Sequence, residues 1–190
     1  MPKAEVKLAS VVAPLKLDIG CGKNKKEGFI GIDAISFPGV DQVVDVRLPW
    51  PWADNSVGEV HCSHFLEHLT AYERVHFVNE LWRVMVGDAK ATIITPHWAA
   101  ARAYGDPTHQ WPPVSEMWFY YLDPKWRETN APHTDIAHNP QGFKCHFDCT
   151  WGYGMHGSIQ SRNAEFQQFA LNFYKEAAQD LHATITCRKG

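Results

Sequence analysis

The stretch Leu15-Lys-Leu-Asp-Ile-Gly-Cys-Gly22 decides how the rest of the chain is read. Apolar residues alternate at Leu15, Leu17 and Ile19, the period of a strand with one face in a core. The strand runs into Gly20-Cys21-Gly22, where two residues without a β-carbon let backbone amides approach a ligand closely. Asp18 lies inside the strand, two positions before the first glycine. A buried carboxylate is costly unless something binds it, so this strand end reads as the edge of a site.

Working outward, residues 23–28 lead directly into a second strand at Phe29–Ala34. Parallel neighbours usually need a crossover of a dozen or more residues, normally helical. These residues, fully extended, reach about 20 Å, so a shortened crossover without a helix is expected. A third strand is expected at Val40–Val46, closing on Asp45, then a turn-rich loop at Leu48–Ser56 and a fourth strand at Val57–Cys62 emptying into Ser63 and His64. Thr70 with Glu73 three residues later is a capping box. It opens a helix to about Val86, with Val75, Val78, Leu81, Trp82 and Met85 on one face and Gly87 as terminator. A fifth strand at Ala89–Thr95 is stopped by Pro96. Such alternation predicts an α/β fold, a Rossmann-like, mostly parallel sheet with covering helices.

From about residue 97 to 141 the periodicity is lost in a segment rich in proline, histidine and aromatic residues. It is long for an unstructured connection and reads as a lid-like insertion, with one short helix from Ser115 through Leu122. Lys144–Met155 reads as a strand, and Asn163 caps a helix through Ala178 with Phe166, Phe169, Phe173 and Ala177 inward. Leu181–Arg188 alternates as a last strand.

At 190 residues the chain suits one domain with a sizeable core. A net charge of -3 argues against gripping nucleic acid through bulk electrostatics, so a small-molecule partner is favoured over nucleic acid or protein. Five cysteines without a repeating spacing argue against a disulfide framework and for a reducing, cytoplasmic setting. The stretch Met1–Pro14 reads as a loose lead-in. Its apolar run, broken by Ser10 and Pro14, fits neither a signal peptide nor a membrane span.

The series Leu17-Asp-Ile-Gly-Cys-Gly22, Gly31-Ile-Asp33, Val44-Asp-Val-Arg47, Leu48-Pro-Trp-Pro-Trp52, His64-Phe-Leu-Glu-His68, Glu80-Leu-Trp-Arg-Val84 and Ala91-Thr-Ile-Ile-Thr-Pro96 resembles the class I S-adenosylmethionine-dependent methyltransferases. It covers roughly the first half of the chain, in the family's order. The resemblance implies S-adenosylmethionine as cofactor, S-adenosylhomocysteine as product, and a last pair of strands running antiparallel at one sheet edge. It further implies that the loop of Gly20, Cys21 and Gly22 wraps the methionine part of the cofactor and that Asp18 anchors its charged end, directly or through water. Asp33, with Ala34 beside it, would bind the ribose hydroxyls. Asp45, Val46 and Arg47 would line the adenine pocket, and Ser63 and His64 would shape the cofactor site. A nicotinamide cofactor fits less well, because Lys25 stands where a third glycine is needed and Asp33 comes too early for its ribose acid.

Independently of the family, open α/β sheets bind ligands beyond the carboxyl ends of their strands. Asp18, Gly20, Gly22, Asp33, Asp45, Ser63 and His64 all fall at or near such ends. Methyl transfer asks mainly for alignment and sometimes for a base. His109 and Asp106, in Gly105-Asp-Pro-Thr-His109, are the candidates for proton removal or acceptor orientation. Two metal readings compete. His64-Phe-Leu-Glu-His68 matches a zinc-protease pattern that needs a helix through all five residues. Cys145, His146, Cys149 and His156 have near-finger spacing, but Phe143, Cys145, Phe147 and Cys149 alternate as one buried strand face. No metal is therefore expected. The rival functions are a non-catalytic cofactor-binding protein on the same fold and, more remotely, a zinc hydrolase.

Overall fold

The structure is a computed structural model, and it describes residues 13–189. The lead-in at Met1–Pro14 therefore lies almost wholly outside the described residues. Strand β1 spans Leu15–Ile19, with Leu17 and Ile19 fully buried, each worth about 1.5–3 kcal/mol of transfer free energy. Strands β2 (Ile30–Asp33) and β3 (Gln42–Val43) follow, then β4 (Val57–Ser63). A 3-10 turn at Leu66–His68 precedes helix α1 (Ala71–Val84), and α1 passes straight into β5 (Met85–Pro96). Four short helices come next: α2 (Arg102–Gly105), α3 (Glu116–Tyr120), α4 (Pro124–Asn130) and α5 (Asp135–His138). The chain then forms β6 (Phe147–Met155), α6 (Gly157–Gln160), α7 (Ala164–Phe173) and β7 (Ala178–Cys187).

The seven strands form one sheet in the order β3-β2-β1-β4-β5-β7-β6. The first five pair in parallel, while β7 runs antiparallel to both β5 and β6. Strand order reverses between β1 and β4, which puts the ligand-binding crevice of such a sheet beyond the carboxyl ends of those two strands. The crossover from β1 to β2 contains no helix. Two carboxylates organise it instead. Asp18 Oδ2 accepts from Lys26 N at 2.7 Å, and Asp33 Oδ2 accepts from Gly22 N at 3.0 Å.

Several boundaries differ from the sequence expectation. Strand β3 is only two residues long, because the backbone turns out of the ladder at Asp45, whose carbonyl accepts from Leu48 N and whose carboxylate accepts from Arg47 N. The capping box is formed: Thr70 Oγ1 accepts from Glu73 N, and Glu73 Oε2 accepts from Thr70 N at 2.8 Å. Helix α1 stops at Val84 without a glycine, and Gly87 lies within β5. The amides of Asn55 and Ser56 take the carbonyls of Arg83 and Val84 and so close the helix end. Two of the three phenylalanines of α7, Phe169 and Phe173, face outward rather than inward, while Phe166 is half-buried. Phe169 and Phe173 are 47% and 70% exposed, and Ala170 is the buried residue of that helix. Among the described residues, no helix is long and apolar enough to cross a membrane.

Segment 97–141 divides in two. Its first part, to about residue 113, runs along the carboxyl edge of the sheet, where Gln110 N donates to Glu67 O at 2.8 Å. Its second part turns away and packs Phe119 and Leu122 into the core, with Asn79 of α1 holding Gly142 O and Lys144 N. His97 and Glu116 pin the two parts together at 3.0 Å. Burial alone would raise the Glu116 carboxyl, but hydrogen bonds from His97, its own amide and Tyr153 outweigh that and hold it at about 2.

Candidate active site

Two adjoining recesses open at the carboxyl edge. The first, of about 150 Å³, lies beyond β1, β2 and β4. Its apolar wall is made by Ile19, Ile32, Val44, Val46, Phe65 and Leu69, and its polar groups are Asp33, Asp45 and Arg47. Gly20 floors it at φ +70, and a β-carbon there would stand 2.4 Å from the Phe65 ring. Only glycine lets that ring close over the strand end. Asp33 accepts one amide at each oxygen, from Gly22 N and Ile35 N, both at 3.0 Å. A carboxylate has about four acceptor sites, so each oxygen keeps one for a ligand hydroxyl. Arg47 clamps Asp45 through two nitrogens at 2.9 and 2.8 Å and lowers its pKa.

The second recess is wider, about 590 Å³, and is lined by His64, Glu67, Arg102, Asp106, His109 and neighbouring backbone. His68 borders both recesses. The first is smaller than a complete small-molecule site, for which about 300–1,000 Å³ is usual, so a ligand of cofactor size extends beyond it. Asp106 Oδ1 accepts from the Thr108 amide and hydroxyl at 2.8 and 2.7 Å, and these bonds lower its pKa. His109 Nδ1 lies 3.2 Å from Ala103 O. His64, at φ +53, has Nδ1 3.4 Å from Glu67 Oε1 and Nε2 3.9 Å from Asp180. The Glu67 carboxylate raises the His64 pKa against the lowering effect of burial. The 3.4 Å approach is an ion-pair distance without a formed hydrogen bond, and both Glu67 oxygens lack a hydrogen-bond partner.

Arg74 joins the two sides of this second recess. It is fully enclosed, and its guanidinium donates to Leu66 O, Glu67 O, Gln110 O and Pro112 O at 2.6–3.3 Å. Burial lowers its pKa to about 10. Five donors in a rigid fork suit it to four carbonyls. On the sequence it reads only as a polar residue one step before the apolar face of α1.

No family model and no curated protein matches the chain. Solved structures do match. The chain is similar to a SAM-dependent methyltransferase from Archaeoglobus fulgidus at 19% identity and a TM-score of 0.57, covering 92% of this chain and 86% of that one. It is similar to a geranyl diphosphate methyltransferase solved in complex with SAM at 11% identity and a TM-score of 0.52, covering 94% and 79%. The fold is that of the class I S-adenosylmethionine-dependent methyltransferases. The same fold also carries other chemistry: the [4+2]-cyclase SpnF matches at 14% identity and a TM-score of 0.50, covering 95% of this chain and 77% of that one.

On this methyltransferase fold the expected site residues separate into three groups. Gly20, Asp33, Ala34, Asp45, Val46 and Arg47 line the first recess. His64, Asp106 and His109 line the second. Asp18, Cys21, Gly22 and Ser63 line neither. Asp18 is buried, and each of its oxygens has one partner inside the protein, Lys26 N at 2.7 Å and His61 Nδ1 at 2.8 Å. Its visible task is to hold the glycine loop. Gly22 acts through its amide bond to Asp33. The burial of Cys21 raises its thiol pKa, with the charges of Asp18 and Asp33 adding to the effect. Cys145 and Cys149 are pushed up to about 12, chiefly by burial, as structural thiols are. The sequence reading gives the string His64–His68 a part in shaping the cofactor pocket but names only His64 of it as a site residue; Phe65, Glu67, His68 and Leu69 also line the recesses.

Proposed function

We propose that the protein binds S-adenosylmethionine and directs its methyl group to a small-molecule acceptor. The observation that carries this reading is Asp33, at the end of β2, with one acceptor site left on each oxygen beside a recess walled by apolar side chains. Those residues fit a nucleoside. Asp33 accepts from the two ribose hydroxyls, and Val44, Val46, Phe65 and Leu69 enclose the base. The loop Gly20–Gly22, whose amides are held by Ile32 O and Asp33, lies beside the amino-acid end. When bound, the cofactor supplies an electrophilic methyl on sulfur.

The acceptor occupies the second recess, beside the first along His68. Alignment of two bound reactants is the main demand of such a transfer. The run from His97 to about residue 113 borders this edge, where closing over bound reactants would exclude water. Within it His109 addresses the acceptor's proton or orientation. Asp106, already bonded to Thr108, acts one step removed. Because this fold also serves a cyclase, turnover with a candidate acceptor separates catalysis from binding alone.

Titration calorimetry with S-adenosylhomocysteine tests the reading. Wild-type protein binds, and Asp33→Ala binds at least tenfold more weakly, since hydrogen bonds to a charged group are worth about 1.5–3 kcal/mol. Equal affinities remove Asp33 from the site. No binding of product or cofactor at millimolar concentration overturns the proposal.

A further inference from the structure

Glu67, His68 and His109 each bring one ligand atom to within 4.8 Å of the other two. Glu67 is only 4% exposed, and neither carboxylate oxygen has a hydrogen-bond partner among the described residues. A buried carboxylate without hydrogen bonds carries an uncompensated loss of its water, and its nearest cation, His64 Nδ1 at 3.4 Å from Oε1, forms no hydrogen bond with it. Here it sits in the wall of an open recess that also holds the imidazoles of His64, His68 and His109, with Arg102 and Asp106.

The hydrogen bonds of the two imidazoles point the same way. His109 Nδ1 lies against Ala103 O, which only accepts, so Nδ1 carries the proton and Nε2 keeps its lone pair. The Thr108 hydroxyl donates to Asp106 Oδ1 at 2.7 Å, so it accepts from His68 Nδ1 at 2.9 Å. His68 Nε2 is therefore also left with a lone pair. Imidazoles that ligate a metal commonly donate their other ring N–H to a carbonyl, carboxylate or similar acceptor, which fixes the tautomer and raises basicity. Both rings are prepared in that manner.

We propose that Glu67, His68 and His109 form a binding site for a divalent first-row transition ion of the zinc type. Two nitrogens and one carboxylate suit such an ion, whereas magnesium and calcium prefer oxygen ligands throughout. Bonds of about 2.0–2.2 Å in a tetrahedron put neighbouring ligand atoms about 3.4 Å apart, so the three donors draw together on the ion. This is not the zinc-protease arrangement. His64 stands at φ +53, outside the 3-10 turn, and does not belong to the group. It also reverses the expectation of no metal, because the third ligand comes from residue 109, about forty positions on, where no spacing rule finds it. With the ion bound, His109 Nε2 is its ligand and orients the acceptor through the ion rather than taking its proton, and the recess leaves the remaining positions to water or to an oxygen of the acceptor. That use rests on the methyl-transfer reading, but the binding itself does not.

The test is calorimetric titration of chelator-treated protein with Zn²⁺, with no cofactor present. Wild type takes up one equivalent, and Glu67→Gln, His68→Ala and His109→Ala each weaken binding at least tenfold. The exposed His133→Ala leaves it unchanged. Thr108→Val, which removes the acceptor for His68 Nδ1, weakens it about tenfold. Zinc raises the melting temperature of wild type and leaves that of Glu67→Gln where it was. If Glu67→Gln does not fold, His109→Ala and Thr108→Val, both on the exposed run, carry the test. Absence of a stoichiometric site in wild type, or binding that survives both Glu67→Gln and His109→Ala, overturns the proposal. Loss of zinc binding with S-adenosylhomocysteine binding intact refutes only the metal site. The opposite result refutes only the cofactor reading.

Discussion

The two recesses at the carboxyl edge are built on different principles. The first is made of strand ends and the loops that leave them, all within residues 19–69, and its carboxylates are tied to backbone amides or to Arg47. The second is assembled by side chains from two distant stretches, the turn at 64–68 and the run at 102–109. Arg74 holds those stretches together, and Glu67 is left without hydrogen bonds. One recess is a consequence of the sheet. The other rests on side-chain and loop contacts, the Arg74 guanidinium foremost, with Gln110 N on Glu67 O and Thr108 on His68 beside it, which makes it the more specialised.

That contrast is sharpest at Arg74. Arg74→Ala leaves four carbonyls without their charged donor and lowers stability by about 3 kcal/mol or more, read by urea unfolding. Hydrogen exchange should rise over residues 102–112 while the glycine loop at 20–29 keeps its protection. Equal loss in both places would mean that the two recesses unfold as one unit, and the comparison would fall.

Gly20 probes the first recess in the same way. Its φ of +70 is a strain of about 1–2 kcal/mol for a side-chain residue. The 2.4 Å approach to Phe65 adds an overpacking cost of about 1–3 kcal/mol. Gly20→Ala therefore destabilises by about 2–5 kcal/mol. Gly22→Ala meets open space at φ +51 and costs only the backbone strain, about 1–2 kcal/mol. Thermal unfolding that ranks the two glycines equally would show that the Phe65 contact relaxes freely.

The difference in construction also explains what the sequence shows of each. Alternation in β1, the glycines after it and the acid ending β2 are local signals, and they place six of the expected cofactor residues around one cavity. Local signals also reveal the shortened crossover and the capping box. They fail where tertiary contacts decide. Strand β3 breaks off because Asp45 prefers its turn and Arg47, and α7 turns Phe169 and Phe173 outward. The burial of Asp18 is legible in its place within the strand, while its partners inside the protein, Lys26 N and His61, are set by tertiary contacts. The second recess was visible only as two unrelated strings, His64–His68 and Gly105–His109. Nothing in their spacing says that Arg74 brings them face to face.

A crystal structure with S-adenosylhomocysteine bound tests the central claim most directly, because it locates both recesses relative to one ligand. The account predicts the ribose hydroxyls on Asp33, the adenine between Val46 and Leu69, and the sulfur directed toward the recess of His64 and His109. A ligand seated elsewhere, or one whose sulfur faces away from that recess, would contradict it.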